Sequence, residues 1–280
     1  MLDKMANEED DVDMKKSINS FGAAGAVIAF LSPLALASAA YSDATYGPFP
    51  VTVKGYSGSK TNSVSYTGQI ARHVLHDSLK KLASKGDGGG NAANLQAEMM
   101  AYFGGSDNNK AIIAPVDKGD FNIKQETLNE ISKGKNLSGK SYKGVVNGWP
   151  GQMTGAEVLA SMIEHAAATK GGLDPVTGYN YPQLISKFAM GAVFYNQAVD
   201  NYLDEKLAAD NKPNSKPYKD GAHYTGKEHV WDEAFGYWGA AAHSLNLNAK
   251  ENYEVAKMKN LTAADANGDG MIDLKSEMTF

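Results

Sequence analysis

The chain has 280 residues, 42% of them hydrophobic, with a net charge of −5 and a pI near 5.7. That is enough apolar material for one or two domains, and an acidic balance with no long basic run argues against nucleic acid or an anionic lipid surface as partner. Cysteine is absent, which excludes disulfides, thiolate zinc sites, cysteine nucleophiles and a lipid anchor on cysteine.

Residues 1–39 read as an export signal. Lys15 and Lys16 form a basic n-region, Phe21 to Leu36 an apolar run, and Ala37-Ser38-Ala39 an A-x-A cleavage site. Pro33 near the end of that run suits a signal peptide better than the competing reading, an uncleaved anchor. The acidic stretch before Met14 is foreign to an n-region, so residues 1–13 read as a spurious extension ahead of the true start. The expectation is a mature chain beginning near Ala40, periplasmic or extracellular, with no membrane span after cleavage.

Residues 49–55 alternate β-branched and other side chains and predict a short strand. Helix periodicity begins at 66–85, where Thr67 is the expected N-cap and Ile70, Val74, Leu75, Leu79 and Leu82 recur at three and four. His73 and His76 lie three apart on this helix and read as part of a solvated face, two ligands being too few for a metal site. Gly86 to Gly90 ends it, and 91–103 predicts a second helix on Leu95, Met99 and Tyr102. The segment 110–149 reads as surface loop with a short helix at 124–133. A strong helix follows at 154–169, with Thr154 and Glu157 spaced as a capping box. The longest helix is predicted at 181–210, with Ile185, Phe188, Ala192, Tyr195, Val199 and Tyr202 as its buried stripe. After a polar connection, residues 225–244 predict another helix entered through Thr225. Strand signals are sparse, so the fold class is mainly α: an antiparallel helical bundle over 40–264, with a short N-terminal strand and an EF-hand-like loop at 265–280.

Two constellations carry chemistry. On the 225–244 helix, His229 and Glu233 are four apart and Asp232 flanks the same face. Such spacing suits a transition metal or an acid–base pair, with His165 or His223 as further ligands from elsewhere. The bland reading is a histidine and carboxylates satisfied by neighbouring elements. Trp231, Phe235 and Trp238 repeat at helical spacing and are expected to be buried. The more specific signal closes the chain. Asp265, Asn267, Asp269, Gly270 and Asp273 occupy positions 1, 3, 5, 6 and 9 of an EF-hand-type calcium loop, Met271 offers its carbonyl, and Ile272 packs inward. Position 12 is Ser276, and the glutamate follows at Glu277. The alternative is an Asn/Asp/Gly turn without metal. No G-x-S-x-G and no phosphate-cradling glycine motif is present.

Three stretches resemble an exported bacterial family, the domain of unknown function 4856: Val64 to Arg72, Glu228 to Trp238, and Asp265 to Glu277. Tyr181 to Leu203 fits between them. The resemblance implies an all-helical secreted or surface protein of unassigned activity, in which further helices follow the calcium-like loop; here the chain stops at Phe280. A looser likeness is to imelysin-type helical proteins with a His-x-x-Glu motif linked to iron uptake, matched here by His229-Val-Trp-Asp232 with aspartate in place of glutamate. The leading expectation is an exported helical protein that binds Ca2+ through Asp265, Asn267, Asp269, Met271, Asp273 and Glu277 and acts in envelope binding or nutrient uptake, with an envelope partner or small ligand. The alternative is an imelysin-like metal-dependent hydrolase or iron-handling protein using His229, Asp232 and Glu233.

Overall fold

The computed structural model describes residues 49–280 except 106–108 and 205–207. The export signal and its cleavage site lie outside the described residues.

The described chain is mainly helical. Its α-helices are α1 (Thr67–Ala83), α2 (Ala92–Gly104), α3 (Leu128–Ile131), α4 (Gly155–Ala168), α5 (Tyr181–Ala189), α6 (Gly226–Trp238), α7 (Ala249–Ala256) and α8 (Leu261–Ala264). α5 continues directly into a π-helix at Met190–Asp204. The strand expected at 49–55 does not form; an isolated bridge between Pro50 and Asn62 is what pairs there. A lone bridge fits a segment bordered by Gly55 and a Gly/Ser-rich stretch, which offers no alternating apolar face for a partner strand to cover.

α1 is the element around which the others pack: α2, α3, α4, α5 and α6 all touch it. Leu75, Leu79, Leu82 and Val74 are fully enclosed, as the periodicity requires. So are polar residues that the sequence places on a solvated face. His73 and His76 are both buried, because helices cover α1 on nearly every side. Each finds a carbonyl: His73 Nε2 lies 3.1 Å from both Gly236 O and Tyr237 O, and His76 Nε2 3.1 Å from Ser186 O. A carbonyl only accepts, so these nitrogens carry the protons. Burial pulls the His73 imidazole down to about 4, keeping it neutral between Phe194 and Phe280. Ser78 Oγ donates to Ala114 O and accepts from the N–H groups of Ile113 and Ala114. The expected Thr67 cap is absent; the helix starts behind Tyr66 with no side-chain cap.

The capping box at α4 is present, with Thr154 Nα donating to Glu157 Oε2 at 2.7 Å. The long helix of 181–210 differs from expectation. Its α-helical part ends at Ala189, and the π-helix buries Val193, Phe194, Gln197, Ala198 and Tyr202 while Tyr195 is left 60% exposed. A π-helix closes i→i+5 bonds and turns less per residue than an α-helix. Its buried positions therefore recur at four and five: Ile185 and Tyr202 of the expected stripe stay buried, while Tyr195 drifts to the surface.

Candidate functional site

α6 is held by a full capping box. Thr225 N donates to Glu228 Oε2 at 2.6 Å and Glu228 N to Thr225 Oγ1 at 3.2 Å. Gly239 at φ 76° ends the helix in the left-handed conformation, earlier than the expected 244. Its buried face is Val230, Ala234, Gly236 and Tyr237. At Gly236 a Cβ would stand 2.6 Å from Tyr66 Cβ, so only glycine lets α6 lie this close to the start of α1. The tryptophan stripe does not face the core: Trp231 is 48% and Trp238 74% exposed, and of the three aromatics expected inside, Phe235 alone packs against it. Close approach through Gly236 rotates the neighbouring positions inward in their place.

The polar triad on this helix does not converge on one point. Asp232 Oδ2 accepts the Ser65 N–H at 2.7 Å, and Oδ1 is buried with no partner among the described residues. Burial pushes this carboxyl well above the usual carboxylate range, against the Ser65 hydrogen bond. Glu233 points elsewhere, its Oε1 3.8 Å from His229 Nε2, and it stands near enough to the Tyr202 hydroxyl to oppose its ionisation. His229 is sandwiched by Tyr218 (centroids 4.2 Å apart) and Tyr224 (5.2 Å), and burial lowers its pKa against the opposing pull of Glu233. His165 bonds Ser161 O and packs on Tyr181, while His223 sits between Tyr56 and Tyr224. Among the described residues no group of three or more His, Asp or Glu is arranged to hold a metal ion. The three side chains read as a second metal site, His229, Asp232 and Glu233, are thus not brought together: Asp232 bonds the backbone of the chain before α1 while Glu233 faces His229.

His229 and Glu233 instead line an open pocket of about 390 Å³ with Tyr202, Lys212, Lys216 and Tyr218. Of these last four, Lys212, Lys216 and Tyr218 are not singled out by sequence spacing, and Tyr202 is expected only as part of a buried stripe. The clue that was available is compositional: Lys212, Pro213, Lys216, Pro217 and Tyr218 crowd a connection otherwise read as a polar linker.

The acidic loop lies at the other end of the same helix. Asp265 Oδ1 accepts the N–H groups of Gly268 (2.8 Å) and Asp269 (3.1 Å), and Oδ2 that of Gly270 (2.9 Å). Asn267 Oδ1 caps Asp269 N and Asp269 Oδ1 caps Met271 N, each at 2.8 Å. Glu277 turns into the loop: Oε1 accepts from Ala266 and Asn267, and Oε2 from Asp273. Burial raises its carboxyl to about 7; the backbone donors oppose this, and Asp265 and Asp269 add to it. Ser276, at position 12, is used through its backbone, bonding Asp273 O and Ala242 N.

Two other segments grip this loop. Ile272 N donates to Asn122 O and Lys124 N to Ile272 O, while Gln125 bonds both Asp273 Oδ1 and Leu274 N. On the other side Phe280 N reaches Gly239 O, Ala241 N reaches Thr279 Oγ1, and His243 Nε2 bonds Ala263 O at 2.7 Å. Lys124 Nζ stands 3.9 Å from carboxylate oxygens of Asp269 and Asp273, and Lys275 Nζ 3.5 Å from Asp273. The oxygen-only donor set is that of a hard cation. Its carboxylates are spread over loop amides and lysines, so the absence of a metal-holding group among the described residues extends to this loop as well.

Comparison with known proteins adds one match. The family model described as domain of unknown function (DUF4856) matches residues 161–271, from within α4 through the π-helix, α6, α7 and α8 into the acidic loop. It bears out the resemblance to that family over this stretch; Val64 to Arg72 and the loop exit at Glu277 lie outside it, and the imelysin-type likeness gains nothing from it. No curated protein and no solved structure matches the chain. Among the described residues no helix is long and apolar enough to cross a membrane.

Proposed function

We propose that this is an exported protein of binding rather than catalytic type, an antiparallel bundle about α1 whose 265–277 loop takes Ca2+. The observation that carries the reading is Glu277. It is 3% exposed, one residue beyond the usual position, yet its carboxylate is turned into the loop, where Asp265 and Asp269 act on its charge. Three amides meet its two oxygens. Buried carboxylates this close repel one another when ionised, and a divalent ion with oxygen preference relieves the repulsion. Asp265 Oδ2 and Glu277 Oε2, each accepting one amide, retain a second lone pair for such an ion. Asp265, Asn267, Asp269, the Met271 carbonyl, Asp273 and Glu277 would supply the ligands. Lys124 would give up its place beside Asp269 and Asp273.

With position 12 filled by serine, affinity should be modest, with Kd on the order of 10⁻⁴–10⁻³ M, the range of extracellular modules. Mg2+ should compete poorly because it demands a tighter octahedral shell. Calorimetric titration and thermal melting of the full chain test this. Ca2+ should release heat and raise Tm by linkage, and Asp265→Ala with Asp269→Ala should remove both effects. No heat and no shift at about 10 mM Ca2+, roughly ten times the weakest Kd of that range, would show that the loop is a turn. The export reading predicts a secreted chain beginning near Ala40, which N-terminal mass analysis checks.

A further inference from the structure

The pocket beside α6 is independent of the acidic loop, and its lining has three chemically distinct parts. The floor is Glu233, whose carboxylate faces His229 and stands near enough to the Tyr202 hydroxyl to oppose its ionisation. One wall is aromatic: Tyr218 is 51% exposed and overlies His229. The rim holds two cations, Lys212 and Lys216, and neither ammonium has an ion-pair or hydrogen-bond partner among the described residues. A third lysine, Lys219, is near enough to oppose protonation of His229. Behind the floor, Arg72 is near enough to favour the ionised form of Tyr202. Among the described lining residues Glu233 is the one carboxylate, so cations outnumber it there.

These parts restrict the ligand. Unpaired lysines at a rim select an anionic group. A carboxylate floor rejects that same group and calls for hydroxyl or N–H donors, and it excludes a bare hydrocarbon ring, which would leave Glu233 desolvated without a partner. An exposed tyrosine face accepts a flat array of C–H groups. The volume of about 390 Å³ falls in the lower part of the usual range for small-molecule sites, about 300–1,000 Å³. We propose that this pocket binds an acidic sugar, a hexuronate unit, with its carboxylate at Lys212 and Lys216, its ring against Tyr218 and its hydroxyls donating to Glu233. The ring oxygens and C–H faces meet the walls, and the donors meet the floor.

The test uses the full chain in EGTA-containing buffer, so that the outcome does not depend on the calcium reading. Ligand-observed NMR and calorimetry are run with four hexuronates (glucuronate, galacturonate, mannuronate and guluronate), with glucose and acetate as half-ligands, and with glutamate as an amphoteric competitor. At least one hexuronate should bind at least about tenfold more tightly than glucose or acetate, a difference of about 1.4 kcal/mol, and its affinity should fall as salt rises. Lys212→Ala with Lys216→Ala should reduce that affinity at least tenfold with Tm unchanged. Tyr218→Ala should weaken glucose and hexuronate alike. Absence of binding by all four hexuronates overturns the proposal, as does an acetate affinity equal to theirs. Tighter binding of glutamate, or a double variant with undiminished affinity, overturns it too.

Discussion

The acidic loop and the α6 cluster both gather carboxylates within a few residues, and the fold treats them in opposite ways. In the loop, Asp265, Asn267, Asp269 and Glu277 direct their oxygens at amides within the same stretch, 265–277. The partners of these four are local, so spacing dictates which side chains meet there. On α6, Asp232 and Glu233 are adjacent in sequence and are parted by their surroundings. One is drawn to Ser65, 167 residues away, and the other to Tyr202 and His229. A local motif survives folding when it can satisfy itself; a helical cluster is divided among whichever neighbours bury it.

The comparison can be broken most forcefully on α6. Tyr237 is 2% exposed between Phe194 and Tyr202, so Tyr237→Ala should cost about 3–5 kcal/mol by denaturant unfolding. A loss below about 1 kcal/mol would mean that α6 is not core, since such values are usual for surface positions.

The loop is sharpened by pH. Glu277 titrates near 7 in the folded chain against an ordinary 4.5, so between those values the folded chain holds a proton that the unfolded chain has released. Stability from this group therefore falls as pH rises through that window. His73 acts in the opposite sense: its pKa of about 4 lies below the ordinary 6.5, and its contribution is lost as pH falls between them. In calcium-free buffer the two slopes oppose each other. Glu277→Gln should leave the His73 slope exposed, and the variant should lose up to about 3 kcal/mol more than the parent between about pH 6.5 and 4.5, at about 1.4 kcal/mol per pKa unit. Parallel stability–pH curves for the two proteins would show that Glu277 is not raised.

Smaller effects follow at the ends of α6. Thr225→Ala removes the oxygen that caps Glu228 N and should cost about 1 kcal/mol in thermal unfolding. Trp238→Ala, one residue past Tyr237, should change stability by no more than about 0.5 kcal/mol, as surface substitutions do. The contrast of neighbours at 237 and 238 tests the orientation of the helix directly.

Much of this architecture is legible in the chain. The capping boxes at Thr154–Glu157 and Thr225–Glu228, the apolar register of α1 and the mainly helical class all follow from short-range spacing, because a cap or a helical face is decided within four residues. The tertiary structure decided the rest. It turned Trp231 and Trp238 outward because Gly236 brings α6 against Tyr66, and it moved the stripe of the long helix because the backbone adopts i→i+5 bonds from Met190 onward. It buried His73 and His76 against distant carbonyls. It also assembled the pocket at Glu233 from the π-helix, the 212–218 connection and α6. Each of these depends on which surface meets which across more than a hundred residues or between separate elements, and no local periodicity encodes that. The acidic loop is divided between the two: the oxygens of Asp265, Asn267, Asp269 and Glu277 meet amides within 265–277, which spacing governs, whereas Asp273 is held by Gln125 and faced by Lys124 from a distant segment.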